Sequence, residues 1–562
     1  MSSVALYLNP EAFDTTRPAL MGRQSAGESF LRGYLRHSVA KEFRFWNVAN
    51  EPLDRLKAHV ERVGALDRPV AWIPREDRLG LGRAGVMHLP TPNLAREAWA
   101  RRTVGGQTAY GITGITHTTA AADIMDSLAD IMSAPIEDWD CLICTSSAVR
   151  TSVETELEAV RHDLVERLGA TNVPSPRLTT IPLGINVADF TTRAEDRAAW
   201  RARLDLPDDA VVVLYVGRFN PMEKMNPLPM AMALERAAQL TGKTIAWVQA
   251  GWAGSDERDK AIHEECQRFC PSVLYRGVDG RKPDVRFSIW SVGDIFLSLS
   301  DNVQETFGLT PVEAMAAGIP CVVSDWDGYK DTVRDGIDGF RVSTYAPPAG
   351  AGGDLAYRYA SNWWTYNNYV GAASQFIAVD VGEAARALAR LVDSPDLRRS
   401  MGEAARLRAA EVFDWARIVP QYEALWAELN ARRRAAPPRQ PLARNHAPNP
   451  RRLDPFHLFG NYASEWMTAS NLVAMAPGRD WSWVQTLLKA SMAVHGGSAL
   501  PTLKEFEALV VALSAARQMT IGDLAQTASP DRRPVVERGI LWLVKYDVVT
   551  LYSRSPGAAA SR

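Results

Sequence analysis

A twice-repeated alternation of short apolar runs with helical segments constrains this chain more than any other feature. The first series reads as strands at Val4–Leu8, Phe43–Val48, Val70–Ile73, Val86–Leu89, Tyr110–Thr113, Cys141–Thr145 and Thr179–Leu183, with helices at Ser25–His37, Leu53–Val63, Leu94–Arg102, Ala121–Met132 and Ala148–Leu168. The second reads as strands at Ala210–Val216, Thr244–Gln249, Val273–Arg276 and Asp294–Leu299, with helices at Met230–Leu240, Glu257–Phe269 and Asp284–Trp290. Short apolar strands alternating with helices imply doubly wound parallel sheets, covered on both faces. Two such series, joined near Thr191–Leu204, predict an α/β architecture of two Rossmann-like domains whose carboxyl strand edges face a cleft, where ligands gather.

The chain has 562 residues, too many for one core, so further domains are expected. Its composition is that of an ordinary globular protein, and a net charge of -2 gives no overall pull toward nucleic acid or membrane. With no apolar run of about 18 residues and no signal-peptide pattern at Met1-Ser2-Ser3-Val4, the expected location is cytoplasmic. Five cysteines argue against a disulfide framework. Cys141 and Cys144 form a C-x-x-C, but inside an apolar strand and with no second pair to complete a zinc site, so core packing is the reading for them. Cys266 and Cys270, four apart on a helix, are expected to face inward.

The densest chemistry follows the strand Asp294–Leu299, in Ser300-Asp301-Asn302-Val303-Gln304-Glu305-Thr306-Phe307-Gly308-Leu309-Thr310-Pro311-Val312-Glu313. Thr310 reads as a helix N-cap, Pro311 as the first helical residue, Glu313 as the capping-box partner and Gly318 as the stop. The free N–H groups of Gly308, Leu309 and Thr310, with the positive end of the helix dipole, favour an anion, most often a phosphate. Gly308 lets a ligand approach the backbone closely. Glu305 and Glu313 flank this anion site, and as hydrogen-bond acceptors they suit sugar or ribose hydroxyls. Phosphate plus hydroxyls suggests a nucleotide sugar; locally, a plain capping box and a solvated acid explain the same residues.

Other candidates lie at other strand ends. Arg218 and Lys224 follow the strand Ala210–Val216, and such cations grip phosphate bidentately or as a point charge; solvated surface cations are the alternative. His117 follows the strand Tyr110–Thr113 at a carboxyl edge, where a ligand-facing role and an ordinary satisfied histidine both fit. The loop ending Met21-Gly22-Arg23-Gln24-Ser25-Ala26-Gly27-Glu28 is rich in small residues at a helix start, a weak phosphate signal on its own.

Together these residues resemble the retaining family 4 glycosyltransferases of the GT-B fold. The resemblance rests on Arg218 and Lys224 after a strand, Glu305-x7-Glu313 enclosing Phe307-Gly308-Leu309, Ala314-Met315-Ala316-Ala317-Gly318-Ile319-Pro320 behind it, and Ile181-Pro182-Leu183-Gly184-Ile185 closing the first domain. It covers roughly residues 1–430 and is strongest over 211–343. It implies that Arg218 and Lys224 hold the donor diphosphate, that Glu313 binds ribose, that Glu305 sits beside the transferred sugar, and that the backbone at Phe307–Thr310 lines phosphate and sugar. It places His117 on the acceptor-facing side. It assigns Gly27 to the donor through a loop that has Ser25-Ala26 where the family has two glycines. Arg218, Lys224, Glu305 and His117 are then the catalytic set. The implied reaction is hexosyl transfer from a nucleoside-diphosphate sugar with retention, without a cofactor and without a metal.

Several segments exceed the resemblance. Residues 345–380 carry a Pro/Gly-rich entry and then Tyr357, Tyr359, Trp363, Trp364, Tyr366 and Tyr369. Trp363, Trp364 and Tyr366 are candidates for an aromatic lid or acceptor platform, against a self-packed insertion. The expected domains are 1–195, 196–412, a returning helix over 413–432, a linker over 433–453 and a helical unit over 454–562. The stretch from Arg432 to Arg452 holds seven arginines and no acid, suiting a solvated tether more than a contact with nucleic acid or a peripheral contact with anionic lipid at the inner face of the membrane. In the last unit, helices at Tyr462–Met475, Trp481–Val494, Leu503–Arg517 and Arg533–Val544 and a strand at Val548–Tyr552 resemble a winged helix. Acids offset its Arg and Lys, favouring a protein partner over nucleic acid. The acceptor class stays open among glycan, lipid, protein and small molecule. Other GT-B enzymes (an epimerase or phosphorylase) and a non-catalytic nucleotide-sugar sensor are the alternative functions.

Overall fold

In the computed structural model, which describes residues 4–13, 22–437 and 446–552, the first alternating series folds as one parallel sheet. Its strands are β1 (Val4–Leu8), β2 (Phe43–Asn47), β3 (Val70–Pro74), β4 (Val86–Leu89), β5 (Gly111–Ile115), β6 (Cys141–Cys144) and β7 (Arg177–Thr180), in the order 3-2-1-4-5-6-7. Every residue of β4, β5 and β6 is buried, as two helical layers require. The order reverses between β1 and β4, which opens a crevice at their carboxyl ends.

The second series gives β8 (Val211–Val216), β9 (Ile245–Gly251), β10 (Leu274–Asp279), β11 (Ile295–Ser298), β12 (Cys321–Ser324) and β13 (Gly339–Val342), parallel in the order 10-9-8-11-12-13. Its reversal falls between β8 and β11. The loop carrying Arg218 and Lys224 and the loop carrying Glu305 therefore leave adjacent strands on the same edge. This arrangement is the pair of Rossmann-like domains expected from the alternation, and it is the GT-B fold that the resemblance implies.

Both domains belong to one unit, Met1–Asn449. The helix Trp415–Ala435 crosses back onto the first sheet, and Trp415, Tyr422 and Trp426 are essentially buried. Side chains of that size each contribute roughly 1.5–3 kcal/mol through burial. Polar bonds fix its register: Trp426 Nε1 donates to Thr113 Oγ1 at 3.2 Å, and Ser38 Oγ donates to Glu423 Oε1 at 2.6 Å. Arg432, Arg433 and Arg434 belong to its last turn, and Arg433 donates to Thr108 O at 2.8 Å, so the helix continues past Arg432 rather than giving way to linker there. Of the remaining arginines in that run, Arg439 and Arg444 lie outside the described residues, as do Met1, Ser2, Ser3 and Met21.

Residues 345–380 are not an irregular loop. β14 (Thr344–Tyr345) and β15 (Ala378–Val379) pair antiparallel and close off two helices, Gly353–Ala360 and Tyr366–Ser374. Thr365 caps the second through a capping box with Asn368. The rings of Tyr359 and Tyr369 stack 4.3 Å apart and hold the pair together.

Pro450–Arg562 is a separate unit. Its core gathers Val473, Phe506, Leu509, Ile521, Leu524, Ile540 and Leu543. The helix expected over Tyr462–Met475 is replaced by a short turn of 3-10 helix at Gly460–Tyr462 and the strand β16 (Leu472–Met475). The side chain of Asn471 accepts from Thr468 N at 2.6 Å, a local turn that competes with helix and lets Leu472–Met475 extend. β16 sits between β17 (Met519–Thr520) and β18 (Val549–Tyr552). All five cysteines are free and buried, in keeping with core packing. No helix of the described residues is long and apolar enough to cross a membrane.

Candidate active site

The cleft between the two sheets is a cavity of about 740 Å3. Its wall includes His117, Arg218, Lys224, Glu305, Phe307, Gly308, Leu309, Thr310, Glu313 and Tyr366, candidates that lie up to 249 positions apart in sequence. They meet because each sits where a strand of either sheet ends.

The helix that follows the Glu305 loop starts two residues earlier than the sequence signals indicate. It spans Leu309–Ala316, and its N-cap is Gly308, not Thr310. Gly308 adopts φ +77°, a left-handed conformation that turns the chain from the loop into the helix. A Cβ there would lie 2.0 Å from the Tyr329 ring, whose hydroxyl pairs with Ser298 Oγ at 2.9 Å. Gly308 is thus required by backbone and packing together. The capping box does not form, and Glu313 turns into the cleft instead. Burial pushes its carboxyl up to about 7, against the attraction of Arg286 and Lys224.

Each of the two expected cations already faces an acid. Arg218 Nη1 lies 3.1 Å from Glu223 Oε2. Lys224 Nζ forms an ion pair with Glu305 Oε2. Burial opposes a charge on Glu305, but the Lys224 ammonium and the backbone N–H groups of Thr306 and Phe307 prevail and hold its carboxyl below the usual range. The Lys224 loop is shaped by Asn220, whose Oδ1 accepts from Met222 N and Glu223 N, and it is tied to the Glu305 loop by Asn302 Nδ2, which donates to Met222 O at 2.7 Å. Behind Glu305 lies Asp327, at φ +38°, its carboxyl raised by burial and by the Glu305 charge.

His117 faces the cleft from the first domain and also borders a smaller adjoining cavity lined by Phe30, His88, Trp415 and Tyr422. His88 is held far toward its neutral form, its pKa lowered to about 3 by burial and by His117. Gly27 lines the smaller cavity and not the cleft itself, where its neighbours Ala26 and Glu28 stand. The helix there begins at Gly22, so Gly27 is inside it, and a Cβ would meet Ala12 O at 2.5 Å. Packing explains that glycine without a ligand. Trp363 and Trp364 are outside the cleft wall: Trp363 is 70% exposed against Tyr357, and Trp364 lies under Arg358. Only Tyr366 of the three aromatic candidates reaches the cavity, with Asn367 beside it.

Arg286 and Gln304 also line the cleft and were not singled out from the sequence. Arg286 follows β10 at the same carboxyl edge as Arg218, in Pro283-Asp284-Val285-Arg286, and that placement was the available signal. Contacts between the two domains reach the Glu305 loop itself. Ser146, N-cap of the helix Ser147–Leu168, donates from Oγ to Thr306 O at 2.7 Å, and Ser147 Oγ donates to Asp331 at 2.6 Å.

Residues 196–351 match the family model described as Glycosyl transferases group 1. The D-inositol 3-phosphate glycosyltransferase of Streptomyces scabiei (strain 87.22) is 27% identical over 305 residues, covering 52% of this chain and 58% of that protein. That of Streptomyces avermitilis is 31% identical over 271 residues, 47% of this chain and 48% of that protein. The chain thus spans about half the length of these curated relatives. Among solved structures, Anabaena Alr3699/HepE in complex with UDP superposes over 76% of this chain and 100% of that chain, with a TM-score of 0.50 and 16% identity, a likeness of fold.

Proposed function

We propose that this protein is a retaining glycosyltransferase that moves a sugar, a hexose in our reading, from a nucleoside-diphosphate donor to a hydroxyl acceptor. The observation that carries the reading is the convergence in one cleft of Arg218, Lys224, the helix start at Gly308–Thr310 and the two carboxylates Glu305 and Glu313, with His117 opposite. The group 1 match over the domain holding all but His117, and the glycosyltransferase activity named for the relatives, support it.

In this reading the donor diphosphate lies against the helix start and draws Arg218 and Lys224 from their acidic partners. The bond between the sugar's anomeric carbon and the phosphate oxygen breaks, and negative charge builds on the departing diphosphate. Arg218, Lys224, Arg286 and the N–H groups of the helix start stabilise that charge, the principal catalytic contribution. The acceptor oxygen bonds to the anomeric carbon on the face the diphosphate leaves, and its proton passes to the departing phosphate oxygen. Configuration is retained and no enzymic nucleophile is consumed. Glu305, freed from Lys224, accepts from sugar hydroxyls; Glu313 accepts from ribose; His117 faces the reacting sugar from the acceptor side. For the second unit, the order helix, short strand, short helix, helix, strand over 503–552 supports a winged-helix reading.

A thermal-shift screen with UDP-, GDP- and ADP-sugars tests the assignment, because a ligand of the folded state raises its stability by mass action. One nucleotide class is expected to raise the midpoint, and Arg218→Ala or Lys224→Ala to abolish the shift. A shift that persists undiminished in both variants refutes the phosphate assignment.

A further inference from the structure

The helical insertion between β14 and β15 reaches across the cleft mouth and touches the loops that carry the central candidates of both domains. Tyr366 Oη donates to Gln304 Oε1 at 2.8 Å, and Gln304 immediately precedes Glu305. The same hydroxyl stands 3.5 Å from Thr118 Oγ1, and Thr118 immediately follows His117. The insertion is anchored there by Tyr359, whose hydroxyl accepts from Ala122 N at 2.8 Å. We propose that Tyr366 and Thr118 form the acceptor subsite and that the acceptor they take is polyhydroxylated, a sugar or polyol.

The hydrogen-bond inventory carries this. Tyr366 spends its proton on Gln304, so its oxygen is left to accept. Thr118 Oγ1 accepts from Ala120 N at 3.2 Å, and its own proton, given to Tyr366 Oη only across the long 3.5 Å contact, is available to a better-placed acceptor on a ligand. The two oxygens therefore present one acceptor and one donor side by side, at a separation longer than a good hydrogen bond. A hydroxyl group, which is donor and acceptor at once, satisfies both, and a second hydroxyl on the same molecule reaches Gln304 or Asn367. The subsite is one residue removed from Glu305 on one side and from His117 on the other, so an alcohol held there lies beside the reacting carbon. This inference rests on the glycosyltransferase reading and adds the substrate class to it.

The full chain is assayed for nucleoside-diphosphate release from whichever donor sugar stabilises it, alone and with glucose, maltose, glycerol or a long-chain alcohol added. One of the polyhydroxylated compounds is expected to raise release several-fold. Tyr366→Phe and Thr118→Val are each expected to raise the KM for that compound by about tenfold, the worth of one neutral hydrogen bond, while donor KM and the donor thermal shift stay unchanged. The proposal fails if the donor binds but no polyhydroxylated compound stimulates release, if the long-chain alcohol alone is used, or if both variants leave acceptor KM unchanged or move donor KM equally. Absence of any donor shift in the unsubstituted protein would instead sink the glycosyltransferase reading beneath it.

Discussion

Lys224 Nζ is paired with Glu305 across the floor of the cleft, so the cation expected to hold phosphate and the acid expected to hold sugar neutralise each other. Donor binding has to separate them, and removing the acid should make that easier. Glu305→Gln is expected to bind UDP at least as tightly as the unsubstituted protein while turnover falls by about a hundredfold, the usual scale for losing a group aimed at the transition state. Lys224→Met leaves Glu305 unpaired in a half-buried place, costing on the order of 2 kcal/mol of stability, and should abolish UDP binding. Calorimetric titration with UDP and steady-state kinetics of the two variants check both halves; weaker UDP binding in Glu305→Gln would show that the carboxylate does not compete with the donor.

Gly308 is held at φ +77° against the Tyr329 ring. Gly308→Ala adds about 1–2 kcal/mol of left-handed backbone strain and a clash that Tyr329 cannot relieve, being buried and bonded to Ser298. The expected outcome is a lower thermal midpoint together with loss of the UDP-dependent shift. Gly308→Ala combined with Tyr329→Ala should recover part of the midpoint but not the shift, because the helix start stays displaced.

The legibility of this molecule in its sequence follows physical lines. Buried parallel strands such as Cys141–Cys144 announce themselves by uniform apolar runs, and the sheets could be read from them. The helix start at Gly308 lies two residues before the one its sequence suggests because Thr310-Pro311 carries strong capping chemistry, whereas the controlling fact is a positive φ held against the Tyr329 ring. Trp363 and Trp364 looked like the natural platform by ring size, yet which aromatic of a helical hairpin faces a cleft depends on how the hairpin docks. Tyr366 does so because Gly371 lets its helix sit against Met222, with Cβ room of only 3.2 Å. The pairing of Lys224 with Glu305, 81 positions apart, has no local signature at all.

The carboxyl of Glu313 is raised to about 7, above the value of roughly 4.3 for glutamate in an unfolded chain. The folded state therefore holds this proton more tightly than the unfolded state does. Its stabilising contribution is complete below the unfolded value and is lost as pH rises through about 7. Between about pH 5 and 8 the unsubstituted protein should lose on the order of 2–3 kcal/mol from this group, and Glu313→Gln should flatten that slope. Thermal midpoints of the two proteins across this range decide the matter; parallel curves would mean that Glu313 titrates alike in both states.

The charge of a departing diphosphate can be met by cations, by a metal, or by both, and the function proposed above gives it to the cations. Arg218, Lys224 and Arg286 all line it, beside the N–H groups of the helix start at Gly308–Thr310. A nucleoside diphosphate brings about three negative charges at neutral pH, which three cations and a helix dipole can offset. Transfer should therefore continue in the presence of a chelator, while Arg286→Ala should weaken UDP binding by about tenfold and raise its sensitivity to salt no further, one charged contact having been removed. Activity abolished by EDTA and restored by manganese would refute the cation-only account; so would an Arg286→Ala protein whose lost affinity is recovered by added magnesium in the unsubstituted range.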